Sequence, residues 1–214
     1  MIKNKFFTVN PLQENCYVVS DDTHEAVIID CGCFDAEEWQ HIYDYIRNEK
    51  LSIMHLLNTH LHFDHCLGNH FVKESFGLQP EASDADLYLM RGMRKQLEMF
   101  FGTSSFLPDL PVPGRALSDG DVVTFGHHKL EVIATPGHTP GGICFYCQEE
   151  EMLWSGDTLF KGSIGRCDLE GGDYRQIIQS ISGRLACLPD TTSVFTGHGL
   201  PTDIKTEKAF NPYL

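Results

Sequence analysis

The stretch Thr59-His60-Leu61-His62-Phe63-Asp64-His65 constrains this chain more than any other. It sets three imidazoles and one carboxylate within six consecutive residues. An apolar run, Ile53-Met54-His55-Leu56-Leu57, precedes it and reads as a buried strand. Gly68 to Phe76 follows and reads as a short helix. The cluster therefore sits on a strand-to-helix connection, and in open α/β sheets ligands bind beyond the carboxyl ends of strands. Imidazole is largely uncharged near neutral pH and is the commonest metal ligand. Burying so many polar groups without partners would be costly. His60 and His62 are two apart, so in extended backbone they lean the same way and can share one ion. Asp64 and His65 are adjacent, point differently, and fit a second ion beside the first better than they fit the same one.

The pattern recurs downstream. His138 lies in Thr135-Pro136-Gly137-His138-Thr139-Pro140-Gly141, after a strand at Leu130 to Ala134. Asp157 follows Gly156 and the strand Met152 to Ser155. His198 lies between Gly197 and Gly199, after the strand Ser193 to Thr196. Each case is an apolar strand, then a small residue, then Asp or His, and glycine lets backbone pass close to a neighbour. Five histidines and two aspartates exceed a tetrahedral site that keeps one position open. They suit two ions sharing a carboxylate, an arrangement that acidifies water and polarises a carbonyl or phosphoryl oxygen. The histidine-rich set points to two zinc ions, with iron or manganese as alternatives, rather than to magnesium.

With 214 residues the chain can form one large domain or two modest ones, and we read a single domain over residues 1–214. The net charge of −14 argues against nucleic acid as a partner. Met1 to Phe7 lacks the apolar core of a signal peptide, and no apolar run approaches membrane-spanning length. The eight cysteines are therefore expected as free thiols in a cytoplasmic protein with no membrane partner. Cys66, next to His65, is expected near the ions; His127 and His128 are expected in a solvated turn.

Short runs rich in apolar and β-branched residues predict strands at Lys5 to Val9, Asn15 to Ser20 and Glu25 to Asp30, with a turn at Asp21-Asp22, an antiparallel opening. Asp35 can cap a helix with Trp39, Ile42, Tyr43 and Ile46 on its apolar face. A helical stretch, broken or continuous, runs from Ser83 to Phe101, followed by a proline-rich loop from Phe106 to Pro113. This segment is either a lid over the site or an excursion packed on the core. Further strands fall at Val122 to Phe125 and Ile143 to Cys147, and a helix at Tyr174 to Leu185. The expected class is α/β (α+β): two β-rich halves stacked face to face, with helices outside.

The motif at 59–65, with His138, Asp157 and His198, resembles the metallo-β-lactamase superfamily. That resemblance implies an αββα sandwich of two mixed sheets, with the metals at one edge. It implies that His60, His62 and His138 hold the first ion, that Asp64, His65 and His198 hold the second, and that Asp157 bridges. Asn15-Cys16-Tyr17, Gly156-Asp157-Thr158-Leu159-Phe160 and Gly162-Ser163-Ile164-Gly165-Arg166 resemble short bacterial glyoxalase II-like hydrolases. The implied substrate is a small-molecule thioester of the S-lactoylglutathione type. Asp64 would orient the attacking water, and Arg166 would meet a substrate carboxylate, which suits a planar guanidinium. A structural ion pair is the other reading of Arg166. The chain ends near where longer enzymes of this type begin a helical glutathione-binding domain, so another thioester or ester is an alternative substrate. A mononuclear iron enzyme resembling persulfide dioxygenases is the competing activity. A β-lactamase is disfavoured, since Asp157 stands where lactamases usually carry cysteine, and a metal-free binding module is disfavoured by the complete ligand set.

Overall fold

A computed structural model describes residues 1–214. In chain order the strands and helices are β1 (Lys3–Val9), β2 (Glu14–Ser20), β3 (Glu25–Ile29), α1 (Ala36–Asn48), β4 (Ser52–Leu57), α2 (Phe63–Cys66), α3 (Asn69–Phe76) and β5 (Pro80–Ala82). Then come α4 (Leu87–Arg91), α5 (Met93–Phe101), β6 (Arg115–Ala116), β7 (Val122–Phe125), β8 (His128–Ala134), β9 (Ile143–Cys147) and β10 (Met152–Gly156). The chain closes with β11 (Leu159–Phe160), β12 (Ser163–Ile164), α6 (Tyr174–Ser180), β13 (Ser193–Thr196), β14 (Thr202–Asp203) and α7 (Ile204–Phe210).

Two six-stranded sheets form, ordered β1-β2-β3-β4-β5-β6 and β14-β13-β10-β9-β8-β7. The first is antiparallel from β1 to β3 and parallel from β3 to β6. The second is antiparallel except where β10 runs parallel to β13. Side-chain alternation decides what lies between them. Tyr17, Val19, Val27 and Ile29 face inward and meet Phe125, Val132, Phe145 and Trp154 from the second sheet. The intervening Val18, Ala26 and Ile28 face outward, against Trp39, Ile42 and Ile46 of α1. The second sheet likewise packs its outer residues, Cys144, Tyr146 and Leu153, under Ile177, Ile181 and Ile204. The result is an αββα sandwich. Asp35 caps α1 by accepting from the backbone N–H groups of Glu37 and Glu38 at 3.0 Å.

The helical stretch after Ser83 is broken at Gly92, between α4 and α5. The segment packs on the core and also borders the site. Met93 and Leu97 of α5 are buried against Leu61 and Phe63, while Met99 and Phe100 remain exposed beside the site. The loop 126–127 is one residue shorter than expected. His128 is a strand residue, paired with Phe125 and only 7% exposed, so the solvated reading is corrected. The alternation Leu130, Val132 extends back to it and turns it inward. Strands β5, β6, β11, β12 and β14 and helix α7 carry too few periodic residues to be read from sequence. No helix is long and apolar enough to cross a membrane.

Candidate metal centre

Four strand ends converge on one edge of the sandwich. β4 leads into His60, His62 and the short α2, which carries Asp64 and His65. β8, β10 and β13 lead to His138, Asp157 and His198. The sheets are stitched there by backbone. Ile143 donates to the Thr59 carbonyl at 2.9 Å, and Asn15 to that of Gly197 at 2.7 Å. The Tyr17 hydroxyl donates to the Thr196 carbonyl at 2.6 Å. The approach leaves no space for larger residues: a Cβ on Gly197 would lie 2.2 Å from Asp157 Oδ1. Gly156, at φ +48°, runs just as close to the Thr59 hydroxyl.

Neighbouring acceptors fix which nitrogen carries the proton in four of the five rings, His60, His65, His138 and His198. His138 Nδ1 faces the Arg166 carbonyl at 2.7 Å, and His198 Nδ1 faces the Leu12 carbonyl at 3.0 Å. A carbonyl only accepts, so Nδ1 is the N–H and Nε2 keeps its lone pair. His65 Nδ1 donates to Asp30 Oδ2 at 3.1 Å. Asp30 also accepts from the Thr59 N–H at 2.8 Å and hydroxyl at 2.6 Å. That hydroxyl is left free to accept from His60 Nδ1 at 3.1 Å. One buried carboxylate thus orients two imidazoles.

The remaining donor atoms point at one another. His62 Nδ1 lies 2.9 Å from His138 Nε2, with His60 in the same group. Asp64 Oδ2 lies 3.3 Å from His198 Nε2 and 3.9 Å from His65 Nε2. Asp157 stands between the two groups, with Oδ2 3.6 Å from both His138 Nε2 and His198 Nε2, and Oδ1 3.4 Å from His65 Nε2. His60 Nε2, His65 Nε2 and Asp157 Oδ1 are buried without a hydrogen-bond partner. Orphaned atoms of this kind cost free energy unless a cation engages them, so the residues fit a pair of ions.

Electrostatics agree with that fit. Burial, reinforced by the neighbouring imidazoles, holds His60 well below its usual pKa and His62 at about 3, so both stay neutral with a free lone pair. Burial also opposes ionisation of Asp157, but His65 and His198 outweigh it and keep the carboxyl well below its usual range. His65 goes the other way. Burial would lower it, but Asp157, Asp30 and Asp64 raise it well above its usual value.

Supporting residues that sequence reasoning passed over include Asp30, Asn58 and Asp86. Asp30 ends an apolar strand, but it lacks the small residue that precedes Asp157, so it did not stand out. Asn58 donates to the His65 carbonyl at 2.8 Å. Asp86 accepts from Gly141 N at 2.7 Å, the Thr139 hydroxyl at 2.8 Å and Leu61 N at 3.3 Å, tying the His60–His62 loop to the His138 loop. Nothing in its local sequence signals that role. Cys66 is not among the convergent groups. Its Sγ donates to the His62 carbonyl at 3.2 Å and its thiol is buried among Leu61, Phe63 and Leu67. Arg166 lies at the cleft mouth and makes a two-pronged pair with Asp168 at 2.7 and 2.8 Å.

A cleft of about 600 Å³ opens over these side chains. Leu12, Phe63, Met99, Phe100 and Phe160 make its wall apolar, and Lys95 and Arg166 bring cations to it.

The profile of the metallo-beta-lactamase superfamily matches residues 9–198. Hydroxyacylglutathione hydrolase GloC of Haemophilus influenzae is 34% identical over 209 residues, 96% of this chain and 95% of that protein. The crystal structure of BLEG-1 B3 metallo-beta-lactamase superposes with a TM-score of 0.88 at 32% identity, covering 100% of this chain and 99% of its own. TTHA1623, solved in a di-iron-bound form, superposes with a TM-score of 0.86 at 35% identity, covering 98% and 100%. The chain belongs to the metallo-beta-lactamase superfamily, a family of metallo-hydrolases.

Proposed function

We propose that the protein is a two-metal hydrolase of small-molecule thioesters, of the hydroxyacylglutathione type. The observation that carries this reading is the convergence of six donor side chains on two sides of a seventh, Asp157, beneath an apolar cleft with cations at its mouth. His60, His62 and His138 would hold one ion, and Asp64, His65 and His198 the other, with Asp157 shared. Seven donors exceed what one iron needs, which favours this over a mononuclear dioxygenase. Zinc suits the donor set, with iron or manganese as alternatives. When bound, such ions lower the pKa of water and polarise a carbonyl.

The chain's own residues do the rest. The wall of Phe63, Met99 and Phe100 takes the apolar part of the acyl thioester and excludes bulk water. Asp64, kept ionised by His65 and His198 against the cost of its burial, accepts a hydrogen bond from the attacking water and orients it. The water oxygen joins the acyl carbon and the C–S bond breaks, giving a carboxylic acid and a thiol. Lys95 and Arg166 draw a substrate carboxylate to the mouth, where Asp168 competes for the guanidinium.

The test is hydrolysis of S-D-lactoylglutathione by zinc-loaded protein, beside a chelated sample and a β-lactam. Fast turnover that the chelator abolishes is expected. Arg166→Ala should then raise KM about tenfold with kcat little changed, as loss of uniform substrate binding does. A second reading, β-lactam hydrolysis, is favoured by the likeness to BLEG-1 along the whole chain. Cleavage of the β-lactam without cleavage of the thioester would replace the first reading with the second. Oxygen consumption with a persulfide substrate would overturn both.

A further inference from the structure

His128 begins β8, at the opposite end of that strand from Ala134, which leads to His138. Six residue steps at roughly 3.3 Å put it about 20 Å from the ligand end. Its imidazole is buried, and neither ring nitrogen has a hydrogen-bond partner. Around it stand the Cys147 thiol at the end of β9 and three carboxylates. Nδ1 lies 3.7 Å from Glu149 Oε2, and Nε2 lies 3.9 Å from Glu150 Oε1 and 4.0 Å from Asp21 Oδ2. These separations are too long for hydrogen bonds and too short for indifference.

The neighbours are otherwise engaged. Asp21 already accepts from the Thr23 N–H, the Thr23 hydroxyl and the His127 N–H. Glu150 lies 3.5 Å from the chain's terminal amine. Cys147 and Glu149 remain. One donor atom each from His128, Cys147 and Glu149 lie within 4.8 Å of one another, close enough to meet on one centre. Glu149 is largely in solvent, so the cluster opens outward and an ion can enter.

We infer that His128, Cys147 and Glu149 form a second, separate site for a thiophilic divalent cation of the zinc class. Imidazole, thiolate and carboxylate are the donors zinc takes, and water completes a tetrahedron. Binding replaces the Cys147 S–H proton, which leaves to solvent, by an S–metal bond. The uncommitted nitrogen of His128 then turns its N–H towards Asp21 and Glu150, the usual arrangement behind a metal-bound histidine. The ion also joins the β7–β8 hairpin to the β9–β10 turn. The competing arrangement is a buried imidazole ringed by carboxylates, with no metal.

Cobalt(II) separates the two. None of the seven side chains at the main centre is a cysteine, so sulfur-to-cobalt charge transfer in the near ultraviolet reports a thiolate site alone. Metal-free, reduced protein titrated with cobalt(II) should develop this band. It should vanish in Cys147→Ala, while the visible bands of the main centre stay. Glu149→Gln changes an exposed side chain, so it keeps the test readable if Cys147→Ala does not fold. It should weaken cobalt binding in the charge-transfer band roughly tenfold and leave hydrolysis unchanged. No charge-transfer band at saturation in the wild type, or a band that survives Cys147→Ala or is unmoved by Glu149→Gln, would overturn the assignment.

Discussion

Strand β8 joins a cluster of imidazoles at one end to a cluster around a single buried imidazole at the other, and they are built differently. At its carboxyl end, His60, His65, His138 and His198 each have one nitrogen facing a committed acceptor: Thr59, Asp30, Arg166 O or Leu12 O. At its amino end, His128 has neither nitrogen fixed. A ring whose second nitrogen is held has one tautomer and one orientation before any ligand arrives. A ring with both nitrogens free can turn and must be ordered on binding. The first cluster is preorganised for chemistry. The second can hold an ion but is not set up to direct a reaction.

Four substitutions probe that contrast. The largest effect is expected from Asp157→Ala, which removes the carboxylate standing between the two donor groups. Hydrolysis should fall by more than the roughly 10–100-fold that loss of an orienting partner costs. Near-native turnover in folded, metal-loaded mutant would refute the shared-carboxylate arrangement.

Next come the two supporting aspartates. Asp30→Ala should weaken metal affinity at the main centre by about 10–100-fold, because it frees both His65 and Thr59. Asp21→Asn should change cobalt affinity at the His128 cluster by less than about tenfold, since the amide oxygen can still accept and Glu150 remains as a second acceptor beside the same ring nitrogen. Equal losses, followed by competition with a chelator of known affinity, would erase the distinction drawn between the two ends.

The smallest effect concerns what anchors the strand. Asp119 accepts from the Ala134 N–H at 2.8 Å, just before the His138 loop, and pairs with Arg184 at 2.8 Å. The Arg184 guanidinium holds its carboxyl below the ordinary value of 3.8, against a smaller cost of burial. A depressed folded pKa stabilises above the ordinary value and is lost as pH falls through the folded one. Asp119 is half-exposed, so the gain is under about 1 kcal/mol. Urea unfolding should show wild type more stable than Asp119→Asn at pH 7, with the gap closing below about pH 4. A gap that widened in acid would show that Asp119 does not act as an ionised anchor.

The sequence by itself determined the chemistry of the edge. Strand, small residue and ligand recur at His138, Asp157 and His198 because a sheet edge can present a side chain only where the strand ends, and tight approach excludes larger neighbours. The layers were legible for a similar reason, since the apolar run of β2, the alternation in β8 and the spacing of Trp39, Ile42 and Ile46 are local. Tertiary structure alone decided the rest. Asp30, Asp86 and Asn58 act across loops that are distant in sequence, so no local period marks them. Whether Cys66 or His128 met solvent, metal or core depended on which strands closed over them. A motif carries the identity of donor atoms, but only packing fixes which lone pairs remain free and where they point.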